Sequence, residues 1–120
     1  MDAVTAGRML DHLEREVEHR LARLHDDEES LRHDRADGTA DDEHDPEGTP
    51  LSAEWSRMAG VRDALARSEH DLAAARTRLA AGDYGDCARC GRPIGAARLE
   101  ARPTADLCIT CARAAESRRR

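Results

Sequence analysis

The residues of this sequence with the clearest capacity for chemistry are its four cysteines, which all lie in the last third of the 120-residue chain. They form two Cys-x-x-Cys pairs, Cys87 with Cys90 and Cys108 with Cys111, and seventeen residues separate the pairs. This spacing is typical of a zinc site. Four thiolates complete the tetrahedral shell of Zn²⁺ and leave no position for water. The pattern therefore predicts one structural zinc ion and no catalytic one.

Two other interpretations of the cysteine pairs stay open at this point. A redox Cys-x-x-Cys pair needs a βαβ context, which the sequence lacks. A finger that reads DNA sequence is favoured by the eight arginines of residues 83–120, but the whole chain has a formal net charge of −6 and no helix with a concentrated basic face. The cysteines are therefore interpreted as a folding staple, and no sequence-specific DNA binding is expected.

A second group of reactive side chains is acidic. Residues 26–47 hold eleven acidic residues against two arginines, and Asp42 and Asp45 are the candidate effector residues among them. A calcium loop of the EF-hand type is excluded, because Asp42 and not glycine stands sixth when counting from Asp37. A solvated loop, or a divalent-ion site that uses His44, stays open. Carboxylates held on a rigid support are also able to act on the Mg²⁺ of another protein.

Two helices with a seven-residue apolar repeat must position these groups. The first runs from Val4 to about Arg35, and the second begins at Thr49 and Pro50 and ends at Gly82. The repeat is the seam of a coiled coil. It consists of Leu10, Val17, Leu24 and Leu31 in the first helix and of Leu51, Met58, Leu65, Leu72 and Leu79 in the second. Gly60 is the discordant residue of the second helix. A close helix contact or a slight bend would explain it, and we expect the close contact.

These elements predict a mainly α fold. Residues 1–82 are expected to form a long antiparallel coiled-coil hairpin with an acidic tip at about 36–49, and each arm of some 30 residues is about 45 Å long at about 1.5 Å per residue. Residues 83–120 are expected to form a small four-cysteine zinc finger, a short helix over Ala112–Glu116 and a tail. An intramolecular hairpin predicts a monomer.

The composition bounds the class of protein. The chain has no Phe, one Trp and 37% charged residues, so a large aromatic core is excluded. It also lacks both a leader-like N-terminus and the roughly 18-residue apolar run that a membrane span requires. We therefore expect a cytoplasmic protein without membrane contact, in a compartment where paired cysteines bind metals more often than they form disulfides.

The stretch from Gly82 to Cys111, GDYGDCARCGRPIGAARLEARPTADLCITC, resembles the zinc-finger signature of the bacterial DksA/TraR family. The resemblance implies a non-enzymatic transcription factor that binds RNA polymerase, inserts its hairpin into the secondary channel and changes the stability of open complexes. The family's tip pattern is D-x-x-D-x-A. Here Asp42 and Asp45 match the two aspartates, and Glu47 replaces the alanine.

Family members that respond to the alarmone ppGpp hold it with basic residues of the second helix and the finger. By this resemblance Arg67 and Arg102 fall on such positions, whereas Asp71 and Ala112 stand where the family has lysines. The loss of two cations predicts weak or absent ppGpp dependence.

Two further functions are kept as alternatives. Hairpin factors resembling GreA use tip carboxylates to hold a second Mg²⁺ for transcript cleavage. A finger that binds DNA or protein, with the helices serving as a dimerising coiled coil, is the third class. The finger signature favours the polymerase regulator over both, and it leaves the sign of regulation and the target promoters open.

Overall fold

The computed structural model describes residues 1–38 and 49–119 of the chain. The predicted mainly α class is confirmed: the described residues form four helices, and their β structure is limited to an isolated bridge between Asp86 and Pro93. The helices are α1 (Ala3–Gly38), α2 (Thr49–Ala81), α3 (Ala96–Ala101) and α4 (Ile109–Arg119). The predicted effector residues Asp42 and Asp45 lie outside the described residues.

The chain divides into two compact units. The finger unit consists of Met1–Arg15 and Glu69–Arg120, and the helical unit consists of Glu16–Ser68. Each unit therefore contains a segment of α1 and a segment of α2. The four cysteines all belong to the finger unit.

In the helical unit the two helical segments run antiparallel. Glu28 of α1 pairs with Arg62 of α2, while Arg32 and Arg35, farther along α1, line one shallow cavity with Trp55, which lies earlier in α2. The buried residues of this unit follow the predicted heptad seam, with one charged exception at Glu28, while the predicted seam residue Leu51 is only half-buried. They are Val17, Leu24, Glu28, Leu31, Met58 and Leu65.

The helical part of the finger unit repeats this arrangement with smaller side chains. Its buried residues are Ala6, Leu10, Leu72 and Ala75. Leu10 is completely buried, and full burial of a leucine contributes about 1.5–3 kcal/mol to folding. The exposed edge carries a cross-helix ion pair, in which Arg76 lies 2.8 Å from Asp11 and 2.9 Å from Glu14.

The ends of the helices have clear local causes. At the start of α1 the Asp2 carboxylate accepts a 2.7 Å hydrogen bond from the Thr5 N–H, and this bond lowers the pKa of Asp2. At the end of α2 the Gly82 N–H donates to the Leu79 carbonyl and the Asp83 N–H donates to the Arg78 carbonyl. Gly82 has φ +83°, so this is a Schellman cap and the predicted stop at Gly82 is confirmed.

The expectation for Gly60 is wrong. A Cβ atom added to Gly60 meets nothing within 4 Å, because this residue lies on the exposed side of α2 and away from the seam. No helix among the described residues has both the length and the apolar character needed to cross a membrane.

Candidate metal centre

The first cysteine pair lies on a short turn that backbone hydrogen bonds close. The Cys87 N–H donates to the Arg92 carbonyl at 2.8 Å, and the Ile94 N–H donates to the Gly85 carbonyl at 2.8 Å. Gly85 and Gly91 have φ values of +90° and +75°, which only glycine adopts readily. These two glycines therefore permit the tight turns on either side of the first cysteine pair.

The second pair is placed by the start of α4. The Ala112 N–H donates to the Cys108 carbonyl at 2.9 Å, and the Cys111 N–H points at the Cys108 sulfur at 3.4 Å. Cys108 thus precedes the helix in the position of a capping residue. The free N–H groups and the dipole of a helix N-terminus favour a thiolate there.

The four sulfur atoms converge on one point. All four Sγ atoms lie within 4.8 Å of one another, and Cys90 Sγ and Cys108 Sγ are 3.8 Å apart. Zinc–sulfur bonds of about 2.3 Å in a tetrahedron require sulfur atoms about 3.8 Å apart, so the arrangement fits one zinc ion. Cys87 is buried, Cys108 and Cys111 are half-buried, and Cys90 is exposed.

The ionisation of the thiols also suits a cation. Backbone N–H groups of Cys90 and Cys108 lower the pKa of Cys87 to about 6, and the N–H of Cys111 lowers the pKa of Cys108. The neighbouring Cys108 sulfur raises the pKa of Cys111 to about 12. Four thiolates in this space therefore need a positive ion between them, and a coordinated metal deprotonates its thiol ligands.

A small core lies behind the metal centre. Its buried residues are Cys87, Ile94, Leu99 and Ala105, against which Met9, Tyr84, Leu107, Cys108 and Cys111 pack. Two of the metal ligands border this core and one belongs to it, so binding of the metal and burial of the core stabilise the same structure. A module of this size has too little apolar surface to fold on hydrophobic burial alone.

Three side chains hold the loop that leads into the second cysteine pair, and none of them was predicted from the sequence. The Tyr84 hydroxyl donates to the Pro103 carbonyl at 2.7 Å, Arg78 donates to the Thr104 carbonyl at 3.2 Å, and Arg98 donates to the Leu107 carbonyl at 2.9 Å. Each bond joins a side chain to a backbone oxygen, and residue type alone does not signal such a bond. Only Tyr84, the single tyrosine in a chain poor in aromatic residues, could have been singled out from the sequence as a structural residue.

A cavity of about 420 Å³ lies in the finger unit, between α2, the loop 102–107 and α4. Four arginines line it, Arg78, Arg98, Arg102 and Arg119. The candidate contact Arg102 is exposed there, and Asp71 and Ala112 line the same cavity. Arg67, the other candidate contact, is an exposed residue of the helical unit. The structure thus brings the four predicted zinc ligands together, whereas Arg67 and Arg102 belong to different units.

Comparisons with known proteins agree with this geometry. Residues 82–117 match the model of the prokaryotic DksA/TraR C4-type zinc finger. The chain is 45% identical over 65 residues to the RNA polymerase-binding transcription factor DksA of Haemophilus influenzae, which is 54% of this chain and 45% of that protein. It is 64% identical over 36 residues to the protein of the same name from Escherichia coli K12, which is 30% of this chain and 24% of that protein.

One solved structure matches almost the whole chain. The transcription factor DksA2 from Pseudomonas aeruginosa superposes with a TM-score of 0.69 at 28% sequence identity, over 99% of this chain and 88% of that one. The chain spans less than half of the length of the curated relatives it matches.

Proposed function

We propose that this chain is a non-enzymatic regulator of transcription that binds RNA polymerase, because residues 82–117 match the model of the DksA/TraR C4-type zinc finger. The observation that carries the proposal is a double match. Part of the chain resembles the DksA of Haemophilus influenzae and of Escherichia coli by sequence, and the fold of nearly the whole chain resembles DksA2. A match confined to the finger would support equally well a finger that binds DNA or protein, with the helices as a dimerising coiled coil.

The long helices are the part that we propose to enter the polymerase. In the helical unit the seam is aliphatic and most of the outer residues are charged, so α1 and α2 form a narrow support that needs no further partner to cover it. We propose that it carries Asp42 and Asp45 into the secondary channel of the polymerase. The carboxylates act there by altering the surroundings of the catalytic Mg²⁺. Such a protein works in the cytoplasm.

The zinc ion has an indirect role in this proposal. With four cysteine ligands it has no free coordination position and takes no part in a reaction. Its ligands instead fix the turn at Cys87 and the start of α4, while Arg78 attaches α2 to the loop between them. In this proposal the zinc ion therefore stabilises the internal structure of the finger unit.

We propose that ppGpp has little or no effect on this chain. The cavity that contains Arg102 also contains Asp71 and Ala112, at positions where the family has lysines. Two of its arginines, Arg78 and Arg98, already donate to backbone carbonyls. The acidic side chains Asp71, Asp106 and Glu116 border the same space and oppose a polyanion.

Binding to core RNA polymerase tests the proposal. Zinc-loaded protein is titrated into labelled core enzyme with and without a known secondary-channel factor as competitor. We expect saturable binding at micromolar concentration or below that the competitor abolishes, and no shortening of transcripts in backtracked complexes. Binding that the competitor leaves unchanged, or no binding at all, contradicts the proposal. Cleaved 3′ fragments would instead identify a transcript-cleavage helper.

A further inference from the structure

Glu28 is the one charged residue in the described part of the chain that is buried, with 3% of its surface exposed. It lies in the apolar seam of the helical unit, between Leu24 and Leu31, which are both buried. An ionised carboxylate in such a place is costly unless it is paired. Its presence therefore needs an explanation beyond the packing of the two helices.

The carboxylate is paired through one oxygen only. Arg62 of α2 makes an ion pair with Glu28 Oε2 across the seam, and Arg32 of α1 approaches the same oxygen at 3.7 Å. Glu28 Oε1 is buried and has no hydrogen-bond partner among the described residues. Both arginine side chains are more than half exposed. The buried carboxylate of α1 therefore depends on a cation that the opposite helix supplies.

The aliphatic part of the seam does not define how α1 is aligned along α2. In α1 the residues Val17, Leu24 and Leu31 are seven apart, and in α2 the residues Met58 and Leu65 are seven apart. Sliding one helix along the other by seven residues brings leucine beside leucine or methionine again. Such a shift moves the helices by about 10 Å, at about 1.5 Å per residue, and loses little apolar contact.

The polar pair is not preserved by such a shift. Moving α2 by seven residues in either direction brings Glu69 or Trp55 to the position that Arg62 occupies beside Glu28. The first partner repels the buried carboxylate, and the second offers it no charge. We propose that the Glu28–Arg62 pair sets the register of α1 against α2 within the helical unit. It thereby sets the level at which α1 ends at Gly38 and α2 begins at Thr49.

This role explains why the pair is retained in the seam. Replacement of a buried ion pair by apolar side chains of similar size is often neutral or stabilising, so stability alone does not require it. A single polar residue in a coiled-coil seam is a known means of specifying register at some cost in stability. The pair excludes the shifted alignments because an unpaired buried charge is strongly destabilising.

The test measures the alignment directly by electron–electron double resonance. Nitroxide labels are attached through ketone-bearing unnatural residues at the exposed positions Arg20 and Ser56, so that the four cysteines keep their zinc. These positions are far apart along the helices, and a seven-residue shift changes their separation by several ångströms. We expect a single distance in the wild-type chain and a second, displaced population in Glu28→Leu with Arg62→Leu, at an unchanged or higher melting temperature.

A matched control changes Glu29 and Asp63, the exposed residues that directly follow Glu28 and Arg62 in the chain. Glu29→Leu with Asp63→Leu adds two leucines without touching the buried pair, and it should keep the single distance. Glu28→Gln preserves the shape of the side chain and should also give two populations, so a double variant that fails to fold does not end the test. A single wild-type distance in either folded Glu28 variant overturns the proposal. Because the readout is a distance, it does not depend on polymerase binding.

Discussion

The hydroxyl of Tyr84 donates a 2.7 Å hydrogen bond to the carbonyl oxygen of Pro103, across nineteen positions of the chain. This bond joins the residue just after the cap of α2 to the loop before the second cysteine pair. Burial raises the pKa of Tyr84 above its usual value of 10.0, and the nearby Arg78 opposes that change. The neutral, donating form of the side chain is therefore the one that the fold stabilises.

Alkaline titration should show this preference. Since the pKa in the folded state lies above that in the unfolded state, the contribution of Tyr84 to stability is present below about pH 10 and is lost as the pH rises through the folded-state pKa. Tyr84 is the single tyrosine of the chain, so the ultraviolet absorbance of tyrosinate reports on it alone. We expect a midpoint above that of the urea-unfolded chain. Equal midpoints would contradict the assignment.

Removing the hydroxyl should weaken the finger unit modestly. For Tyr84→Phe we expect the free energy of unfolding in urea to fall by about 0.5–1.5 kcal/mol, the net value of a typical hydrogen bond. Ser68→Ala is the control, because the Ser68 hydroxyl donates only to the Ala64 carbonyl one turn earlier in α2, at an exposed position. That variant should change the free energy of unfolding by less than about 0.5 kcal/mol. A larger loss in the control than in Tyr84→Phe would refute the prediction.

The Arg98 contact should control how long zinc is retained. Arg98 donates to the Leu107 carbonyl beside Cys108, so Arg98→Ala should loosen the loop that presents this ligand. We expect zinc transfer to a chromogenic chelator to become several-fold faster. Arg89→Ala is matched in size and charge at an exposed position between the first two cysteines. If both variants release zinc at the wild-type rate, the loop is held by other contacts.

Loss of a zinc ligand should disorder the part of the finger unit around the metal centre. Cys87→Ser replaces the buried sulfur that also belongs to the small core. We expect substoichiometric zinc by mass spectrometry and a loss of helical circular dichroism, because metal binding supplies much of the folding energy of so small a module. Stoichiometric zinc with unchanged helicity in Cys87→Ser would be incompatible with the four-cysteine site.

The acidic effector residues are tested by removing charge alone. We expect Asp42→Asn with Asp45→Asn to bind core polymerase with unchanged affinity and to lose the effect on transcription from a responsive promoter. Asp26→Asn with Asp27→Asn removes the same charge from exposed positions of α1 and should regulate normally. Normal regulation by the Asp42 and Asp45 variant would show that these carboxylates are not the effectors.

The sequence was sufficient to predict features that repeat or that have a fixed spacing. The seven-residue repeat predicted that Leu10, Val17 and Leu24 are buried, and the cysteine spacing predicted the metal centre. The end of the second helix at Gly82 was predicted from the conformational freedom of glycine. At Gly60 the same residue type misled, because an exposed glycine and one at a helix contact look alike in a single sequence.

The features that escaped prediction depend on long-range pairing. Glu28 lies in an acidic run of α1, where a solvent-exposed position is the usual expectation, and its burial becomes clear only with Arg62 in place. The bonds from Arg78 and Arg98 end on backbone carbonyls, which carry no residue-specific signal. Periodicity locates a residue on a face of its own helix and does not identify its partner.

The eleven-residue helix α4 buries no side chain. Cys111 in its first turn is one of the four cysteines that converge at the metal centre. Amide hydrogen exchange should therefore be graded along it, with protection near Ala112 and nearly free exchange at Arg118. The zinc ion therefore holds the first turn of α4 in place. Removal of zinc should release α4 before it disturbs the paired long helices.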